Sequence, residues 1–246
     1  MGEMLMDRYH KAIDDLFAKV RATQRENIIK AGEIVADSVK NGGCIFLSGI
    51  CHSMEMDSIY RGGGPIFYKH FSWNMNVEKL GRPRDRSDLD TTTWGMAAYA
   101  LKLSDMRPGD LLFVSSVSGR TVNVVDLAFE AKKMGIKVVA FTSMDYTKSV
   151  DAVHPSGKKL YEMVDLVLDN CAPAAEAMLD VPGIEARYAA ASGIASNLIM
   201  WSMTSVAVEK LLEKGITPGI LKSANFPGGA DYNHTVVEPE YQKHGW

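Results

Sequence analysis

Two short segments rich in serine, threonine and glycine contain the residues with the most obvious chemical use. One covers residues 48–53 (SGICHS) and the other covers residues 116–121 (SVSGRT). Each follows a short apolar run and precedes a segment with helical spacing, which predicts a loop between a buried strand and a helix. The first N–H groups of a helix lack intrahelical acceptors and attract anions, and hydroxyl groups add further donors. The two loops therefore predict a phosphate-binding site.

Either loop alone has a simpler explanation, because Ser and Thr are preferred helix caps and Gly is common in turns. Two such loops at the carboxyl edge of one parallel sheet favour a ligand site, since open α/β sheets bind ligands at that edge. The chain contains neither G-x-G-x-x-G nor G-x-x-x-x-G-K-S/T, the loops that hold dinucleotides and nucleotides. The predicted ligand is therefore a small phosphorylated metabolite.

The elements that position the two loops alternate between strand and helix. Buried strands are predicted at residues 44–47, 66–71, 111–115, 138–142 and 164–168, and helices at residues 54–60, 93–103, 122–134 and 185–214. Residues 111–142 form a βαβ unit, which requires parallel pairing and a right-handed crossover. The fold class predicted is a doubly wound α/β protein, in which helices flank both faces of a parallel sheet.

The N-terminal region, residues 3–41, also has apolar residues at helical spacing. Thr23 and Glu26 match a capping box, so the region predicts two helices, or one helix broken near Thr23. We expect a single domain over residues 1–246. The N-terminal helices and the C-terminal helix plus tail, residues 185–246, are expected to pack on it.

Residues 116–121 resemble the S-x-S-G-x-T loop of the SIS (sugar isomerase) domain, and residues 49–53 resemble its earlier G-x-G-x-S loop. Residues 60–63, 154–158 and 223–231 resemble a bacterial group of SIS proteins that is described as phosphosugar or phosphoheptose isomerases. The resemblance implies a flavodoxin-like parallel sheet flanked by helices, and a phosphorylated sugar as ligand.

The resemblance also implies roles for individual residues. The phosphate ligands that it implies are Ser53, Ser116, Ser118 and Thr121, with Gly49 and Gly119 keeping the backbone clear. The chain departs from the family pattern at three places. Cys51 occupies the second glycine position of the first loop, and Asn123 stands where many SIS proteins have Glu. Residues 62–64 are glycines where phosphoheptose isomerases have their catalytic Glu.

An aldose–ketose isomerisation needs a carboxylate or imidazole that exchanges protons near neutral pH, and no redox cofactor. Glu55 is predicted as the base and His52 as its partner or as a donor that orients the substrate, because both lie at the start of the helix after the first loop. His234, in the polar tail, is a third candidate. Each has an alternative explanation: a surface acid near a helix N-terminus, a capping histidine and a solvated tail residue. No cofactor and no metal are predicted, although some phosphoheptose isomerases use zinc, for which His52 and Glu55 would form a partial site.

Composition excludes several classes of partner. The 246 residues are 46% hydrophobic and 23% charged, with a net charge of -3, so neither nucleic acid nor an anionic membrane is an expected partner. The three cysteines are too few and too widely spaced for a disulfide framework or a zinc site. The N-terminus lacks the apolar region of a signal peptide, and no apolar run is long enough to cross a bilayer. We expect a cytoplasmic protein with free thiols.

The primary functional hypothesis is an isomerase that acts on a phosphorylated sugar through an enediol. One alternative is a non-catalytic SIS module that senses a phosphosugar. Another is a lyase that cleaves an ether from an amino-sugar phosphate, because one fold can host both chemistries. The apolar surface of the helix at residues 185–214, together with the N-terminal helices, predicts a homodimer or homotetramer.

Overall fold

A five-stranded sheet forms the centre of the protein in the computed structural model, which describes residues 3–49, 52, 54–76, 78, 81, 83, 85, 87 and 94–244. The strands are β1 (Ile45–Ser48), β2 (Tyr68–His70), β3 (Leu111–Ser115), β4 (Lys137–Thr142) and β5 (Leu166–Asp169). They lie in the order β2-β1-β3-β4-β5, and each neighbouring pair is parallel. This is the flavodoxin-like order, and it confirms the predicted fold class. The order reverses between β1 and β3, at the switch point of the sheet.

Both faces of the sheet are apolar, so both need a covering layer. Along β3, Leu111 and Phe113 join the core on one face, and Leu112 and Val114 join the core on the other. All four side chains are buried. Because successive strand residues point to opposite faces, such a continuous apolar run is typical of a strand with helices on both sides.

Two long helices, α1 (Leu5–Lys40) and α5 (Ser192–Glu213), cover the first face. They approach closely at Gly32, where an added Cβ would lie 2.6 Å from the Cβ atom of Val206. The predicted break near Thr23 is wrong, because α1 continues through this position. The Thr23 hydroxyl donates to the carbonyl of Lys19 within the same helix, at 2.8 Å, and so does not cap a second one.

Two shorter helices, α2 (Met96–Leu103) and α3 (Val122–Lys133), cover the second face. They are joined by Asp126 of α3, whose Oδ2 accepts hydrogen bonds from the N–H groups of Gly95 at 2.9 Å and Ala97 at 3.3 Å. A carboxylate at these N–H groups satisfies backbone donors at the start of α2 and favours its dipole. The helix predicted over residues 54–60 is instead a single 3-10 turn, Met54–Asp57.

The start of the predicted helix at residues 185–214 is wrong. Residues Tyr188–Ala190 form a strand, β7, which pairs antiparallel with β6 (Ala177–Leu179), and α5 begins only at Ser192. The reason is a tertiary contact: both the N–H and the hydroxyl of Ser192 donate to Oε1 of Glu176, the N–H at 3.3 Å. A carboxylate there satisfies an N–H group of the first turn, so the helix begins at this point.

The C-terminal segment packs back on the glycines that follow the 3-10 turn. Gly63 donates its N–H to the carbonyl of Leu221 at 2.7 Å, and Leu221 donates to Gly64 at 2.9 Å. Beyond this contact lie α6 (Gly229–Tyr232), a π-helical turn (Asn233–Val237) and α7 (Glu238–His244). Within the described ranges, no helix is both long enough and apolar enough to span a bilayer.

Candidate functional site

A cavity of about 530 Å³ opens at the carboxyl edge of the sheet. Its described lining residues are Gly49, His52, Ser115, Ser116, Val117, Ser118, Thr121, Val124, Tyr146 and Glu176. They come from the segments that follow β1, β3, β4 and β5, together with the start of α3. The cavity lies at the switch point, the location at which open α/β sheets bind ligands. It brings together the predicted residues Gly49, His52, Ser116, Ser118 and Thr121.

The hydroxyl groups of Ser116 and Thr121 form one wall of this cavity, and their oxygens lie 2.9 Å apart. Thr121 occupies the N-cap position of α3, but its side chain makes no capping hydrogen bond. The Ser116 side chain is buried, whereas Thr121 is exposed at the mouth. The Thr121 side chain therefore does not cap α3. Its hydroxyl contacts the Ser116 hydroxyl within the loop instead.

Gly119 gives the loop its shape, although it does not line the cavity. Its φ of +66° lies in the left-handed region, and an added Cβ would lie 2.2 Å from Oγ1 of Thr147. Its N–H donates to the Ser116 carbonyl at 2.9 Å, closing the turn. Only glycine satisfies both the backbone angle and this close approach.

The loop is also fixed from the β4 side. Oγ1 of Thr142 donates to the carbonyl of Ser116 at 2.7 Å, and the N–H of Ser143 donates to the carbonyl of Val117 at 3.0 Å. Ser143 in turn caps α4 (Met144–Lys148), the helix that carries Tyr146 into the cavity wall. The candidate phosphate loop is therefore held in one conformation by the neighbouring strand.

Glu176 is a cavity residue that sequence analysis missed. It is half-buried, and its Oε1 accepts the hydrogen bonds of Ser192 at the start of α5. Oε2 makes no hydrogen bond to any residue that the structure describes. The backbone of Ala175 and Glu176 is left-handed, with φ of +61° and +78°, which is costly for residues with side chains. The only sequence signal was its position, a few residues after the last predicted strand.

The two residues predicted as an acid–base pair have different environments. His52 lines the cavity, is exposed and has a φ of +63°. Glu55 is 1% exposed and is not part of the cavity lining; its Oε1 lies 3.5 Å from Nε2 of His70. Its Oε2 is buried without a hydrogen bond among the described residues. The described partner of Glu55 is thus His70 at the end of β2.

His234, the third acid–base candidate, is not among the described lining residues of the cavity. The His234 side chain is 81% exposed, and its Nδ1 lies 3.0 Å from Oε2 of Glu238. Ser53, predicted as a phosphate ligand, and Cys51 lie outside the described residues. Over the described ranges, no three His, Cys, Asp or Glu side chains form a group that could hold a metal ion.

The segment at residues 154–158 has a structural contact behind the loop. The His154 side chain is buried; its Nδ1 accepts the N–H of Ser156 at 3.2 Å, and its Nε2 lies 3.6 Å from Oδ1 of Asp126. Just beyond this segment, Leu160 donates its N–H to the carbonyl of Gly119 at 2.8 Å. The N–H of Leu160 therefore holds the phosphate loop from this side, and His154 lies beside Asp126, the residue of α3 that accepts the N–H groups at the start of α2.

Burial keeps the described cysteines in their thiol form. Neither Cys44 nor Cys171 is disulfide-bonded, and burial raises the pKa of each thiol. A raised pKa reduces the reactive thiolate fraction at neutral pH.

The strand order and the cavity at the switch point define a parallel, doubly wound α/β protein with its candidate ligand site at the carboxyl edge. The chain belongs to the SIS domain family, whose profile matches residues 8–143. It is 34% identical over 241 residues to a UPF0309 protein of Streptomyces griseus, an alignment that covers 95% of this chain and 94% of the relative. It is 31% identical over 240 residues to a UPF0309 protein of Shouchella clausii, with 95% of both chains covered.

Solved structures share the fold. A phosphoheptose isomerase of Neisseria gonorrhoeae superposes with a TM-score of 0.51 at 16% identity, covering 83% of this chain and 97% of that one. The Vibrio vulnificus NanR protein, solved as a complex with ManNAc-6P, superposes with a TM-score of 0.50 at 17% identity, covering 86% of this chain and 67% of that one. At such identities the likeness concerns the fold alone, and it agrees with the predicted SIS architecture.

Proposed function

We propose that this protein binds a phosphorylated sugar and isomerises it by proton transfer. The observation that carries the proposal is the cavity of about 530 Å³, which is lined both by Ser116 and Thr121 of the phosphate loop and by Glu176. Cavities of this size accommodate metabolites, and a few converging polar groups fix their orientation. A phosphate binder and a carboxylate in one cavity are what such an isomerase needs.

The phosphate is assigned to the loop at residues 116–121. Ser116, Ser118 and Thr121 supply hydroxyl donors, and the first turn of α3 supplies N–H groups and the positive end of its dipole. None of the described lining residues is Lys or Arg, so hydroxyl and backbone donors would carry the recognition. Ser53, outside the described residues, stays a predicted fourth ligand.

The proton transfer is assigned first to Glu176, because Glu176 lines the cavity whereas Glu55 does not. The base would remove the proton from the carbon beside the carbonyl, giving an enediol, and return it to the former carbonyl carbon. His52 would pass a proton between the two oxygens. Ser192 holds Oε1 of Glu176, which would orient Oε2 toward the substrate. Glu55, with His234, stays an alternative assignment.

The fold neighbours support the choice of ligand class. One is a phosphoheptose isomerase and another was solved with ManNAc-6P bound. Both names concern sugar phosphates, and the proposal extends that ligand class to this chain. Isomerisation goes beyond ligand binding, and this part of the proposal depends on the carboxylate of Glu176.

The experiment compares binding and turnover in Glu176→Gln, which keeps the shape and the hydrogen-bond acceptor of the side chain. We expect a sugar phosphate to bind within about threefold of the wild-type affinity while kcat falls at least about 100-fold, the usual contribution of a general base. Glu185→Gln is the control, since Glu185 is exposed and outside the cavity. Melting temperatures separate a lost base from a weakened α5 cap.

Other outcomes reassign or reject the chemistry. Full turnover in Glu176→Gln with loss of turnover in Glu55→Gln would move the base to Glu55. Binding of sugar phosphates without turnover of any of them by the wild-type protein would contradict the isomerase and leave a phosphosugar-binding module.

A further inference from the structure

A second cavity of about 330 Å³ adjoins the first one at the switch point. The two cavities share Gly49, Ser115 and Val124 as lining residues. The candidate site is therefore a continuous crevice, with the phosphate loop and Glu176 in one part and a second compartment on the side of β2. We call this compartment the Trp73 pocket, because Trp73 on the segment after β2 forms one of its walls.

The described lining of the Trp73 pocket is neutral and of mixed polarity. Trp73, Val124 and Leu127 are its apolar lining residues, and Asn74 is a lining residue with a carboxamide side chain. None of its described lining residues carries a charge. Trp73 is half-buried and packs against the core beneath α2 and α3, so its ring is supported while part of it stays accessible. A supported indole is a rigid apolar surface that fixes a ligand at low entropic cost.

This set of side chains suits one kind of substituent. A carboxamide both donates and accepts hydrogen bonds, so it complements another amide, which also does both. The apolar surface of Trp73 and Leu127 would cover the acyl group of such a substituent. A sugar with a hydroxyl group at the same position has no apolar group for this surface to cover. A cationic amine or a carboxylate would find no counter-charge among the described lining residues and would be penalised for its lost hydration.

We propose that the Trp73 pocket receives a neutral acylamino substituent of the phosphorylated sugar and that Trp73 sets the preference for such sugars over unsubstituted ones. The proposal rests on the proposed function, since it presumes a phosphosugar in the adjoining cavity. The phosphate loop would bind all members of the class, and the Trp73 pocket would select among them.

The test uses pairs of ligands that differ only at carbon 2: glucose 6-phosphate against N-acetylglucosamine 6-phosphate, and the corresponding mannose pair. We expect the wild-type protein to bind the acylamino member of at least one pair about tenfold or more tightly, the size of effect that one buried apolar group gives. Trp73→Ala is expected to remove that preference while the affinity for the unsubstituted sugar phosphate stays within about twofold.

Two further variants keep the test interpretable. Trp94→Ala is the matched control, because Trp94 is exposed and lies outside both cavities, so its preference should equal that of the wild type. If Trp73→Ala does not fold, Trp73→Phe keeps the packing, and its tryptophan fluorescence should no longer change when the acylamino sugar is added. The corresponding change should persist in Trp94→Phe.

The outcomes distinguish a failure of the Trp73 pocket proposal from a failure of the proposed function. Equal affinities within every pair, or a preference that survives in Trp73→Ala, would overturn the role of the Trp73 pocket and leave phosphosugar binding intact. If no sugar phosphate binds the wild-type protein, both proposals fail.

Discussion

Gly119 is the residue on which the shape of the phosphate loop depends most. Its φ of +66° and the 2.2 Å approach of an added Cβ to Oγ1 of Thr147 are two separate reasons for glycine. Thr147 itself has a buried hydroxyl that makes no hydrogen bond among the described residues. The Thr147 side chain thus occupies the space beside the loop, and any side chain at position 119 would collide with it.

Substitution Gly119→Ala should lower the free energy of unfolding more than the same substitution at a left-handed glycine in open space. The backbone angle alone costs about 1–2 kcal/mol for an L-residue, and the contact with Thr147 adds about 1–3 kcal/mol of overpacking. Gly215→Ala is the control, since Gly215 has a φ of +74° and an added Cβ would meet no atom within 4 Å there. Urea unfolding of both variants measures the difference.

We also expect weaker sugar-phosphate binding in Gly119→Ala and unchanged binding in Gly215→Ala. Equal losses of unfolding free energy in the two variants, with equal affinities, would show that Thr147 does not constrain the loop.

At this scale, sequence reasoning reached the residues that lie together in one short motif. Ser116, Ser118 and Thr121 come from a single loop, so their proximity follows from local chain geometry. Glu176 could not be found in this way, because it enters the cavity from the segment after β5 through a left-handed backbone. The burial of Glu55 beside His70 is likewise a tertiary contact without a local signal.

At the scale of elements, local patterning predicted the central strands because β1, β3 and β4 are short, mostly apolar runs that are largely buried. It was wrong where a distant side chain sets a boundary. Helix α5 begins at Ser192 because Glu176 accepts its N–H group, and helical spacing alone extended the prediction to residue 185. Helix α1 is unbroken at Thr23 because a capping-box pattern can also occur inside a helix, where the hydroxyl bonds the preceding turn.

The hydrogen bond between Tyr68 of β2 and Thr204 of α5 should make the free energy of unfolding depend on pH. The Tyr68 hydroxyl lies 2.8 Å from Oγ1 of Thr204, which itself donates to the carbonyl of Met200, so the phenol is the donor. Burial raises the pKa of Tyr68 well above its ordinary value of 10.0. Above that pH the unfolded phenol loses its proton and the folded one keeps it, so the unfolded state becomes favoured as pH rises.

Tyr68→Phe should therefore be less stable than the wild type at pH 7, by about 1 kcal/mol for the lost hydrogen bond. The difference should shrink as pH rises above 10 and reverse near pH 11, because ionisation of one group contributes up to about 1.4 kcal/mol per pH unit. Urea unfolding from pH 7 to pH 11 measures both curves. Tyr99→Phe, at an exposed position, should run parallel to the wild type; parallel curves for Tyr68→Phe would contradict the assignment.

At the scale of the whole molecule, the family profile ends at residue 143, but the candidate site does not. Tyr146 and Glu176 complete the cavity from the part of the chain beyond it. The full-length UPF0309 relatives cover that part as well. The site as described is therefore a property of the whole chain and not of the matched segment alone.

The C-terminal segment explains one departure from the phosphoheptose isomerase pattern. An added Cβ at Gly62 would lie 2.8 Å from the backbone nitrogen of Ser223, and Gly63 and Gly64 pair with Leu221 through the backbone. These glycines allow the returning chain to pack closely, so this stretch serves packing where those isomerases have a glutamate. The homodimer or homotetramer expected from apolar helix surface stays a prediction.

The central claim is that residues 116–121 hold the phosphate of a sugar phosphate, and calorimetric titration tests it most directly. The ligands are a sugar phosphate and the same sugar without phosphate, titrated into the wild type, Ser116→Ala/Thr121→Val and the control Ser205→Ala, an exposed serine on α5. The double variant should fold normally, because replacing both partners of a hydrogen bond by apolar groups is nearly neutral.

We predict that the sugar phosphate binds the wild type and the control equally. The sugar without phosphate should bind at least about 100-fold more weakly, and the double variant should lose at least about 30-fold in affinity, since each lost charge-assisted hydrogen bond is worth about 1.5–3 kcal/mol. Equal binding of the two ligands by the wild type, or unchanged affinity in the double variant, would contradict the claim.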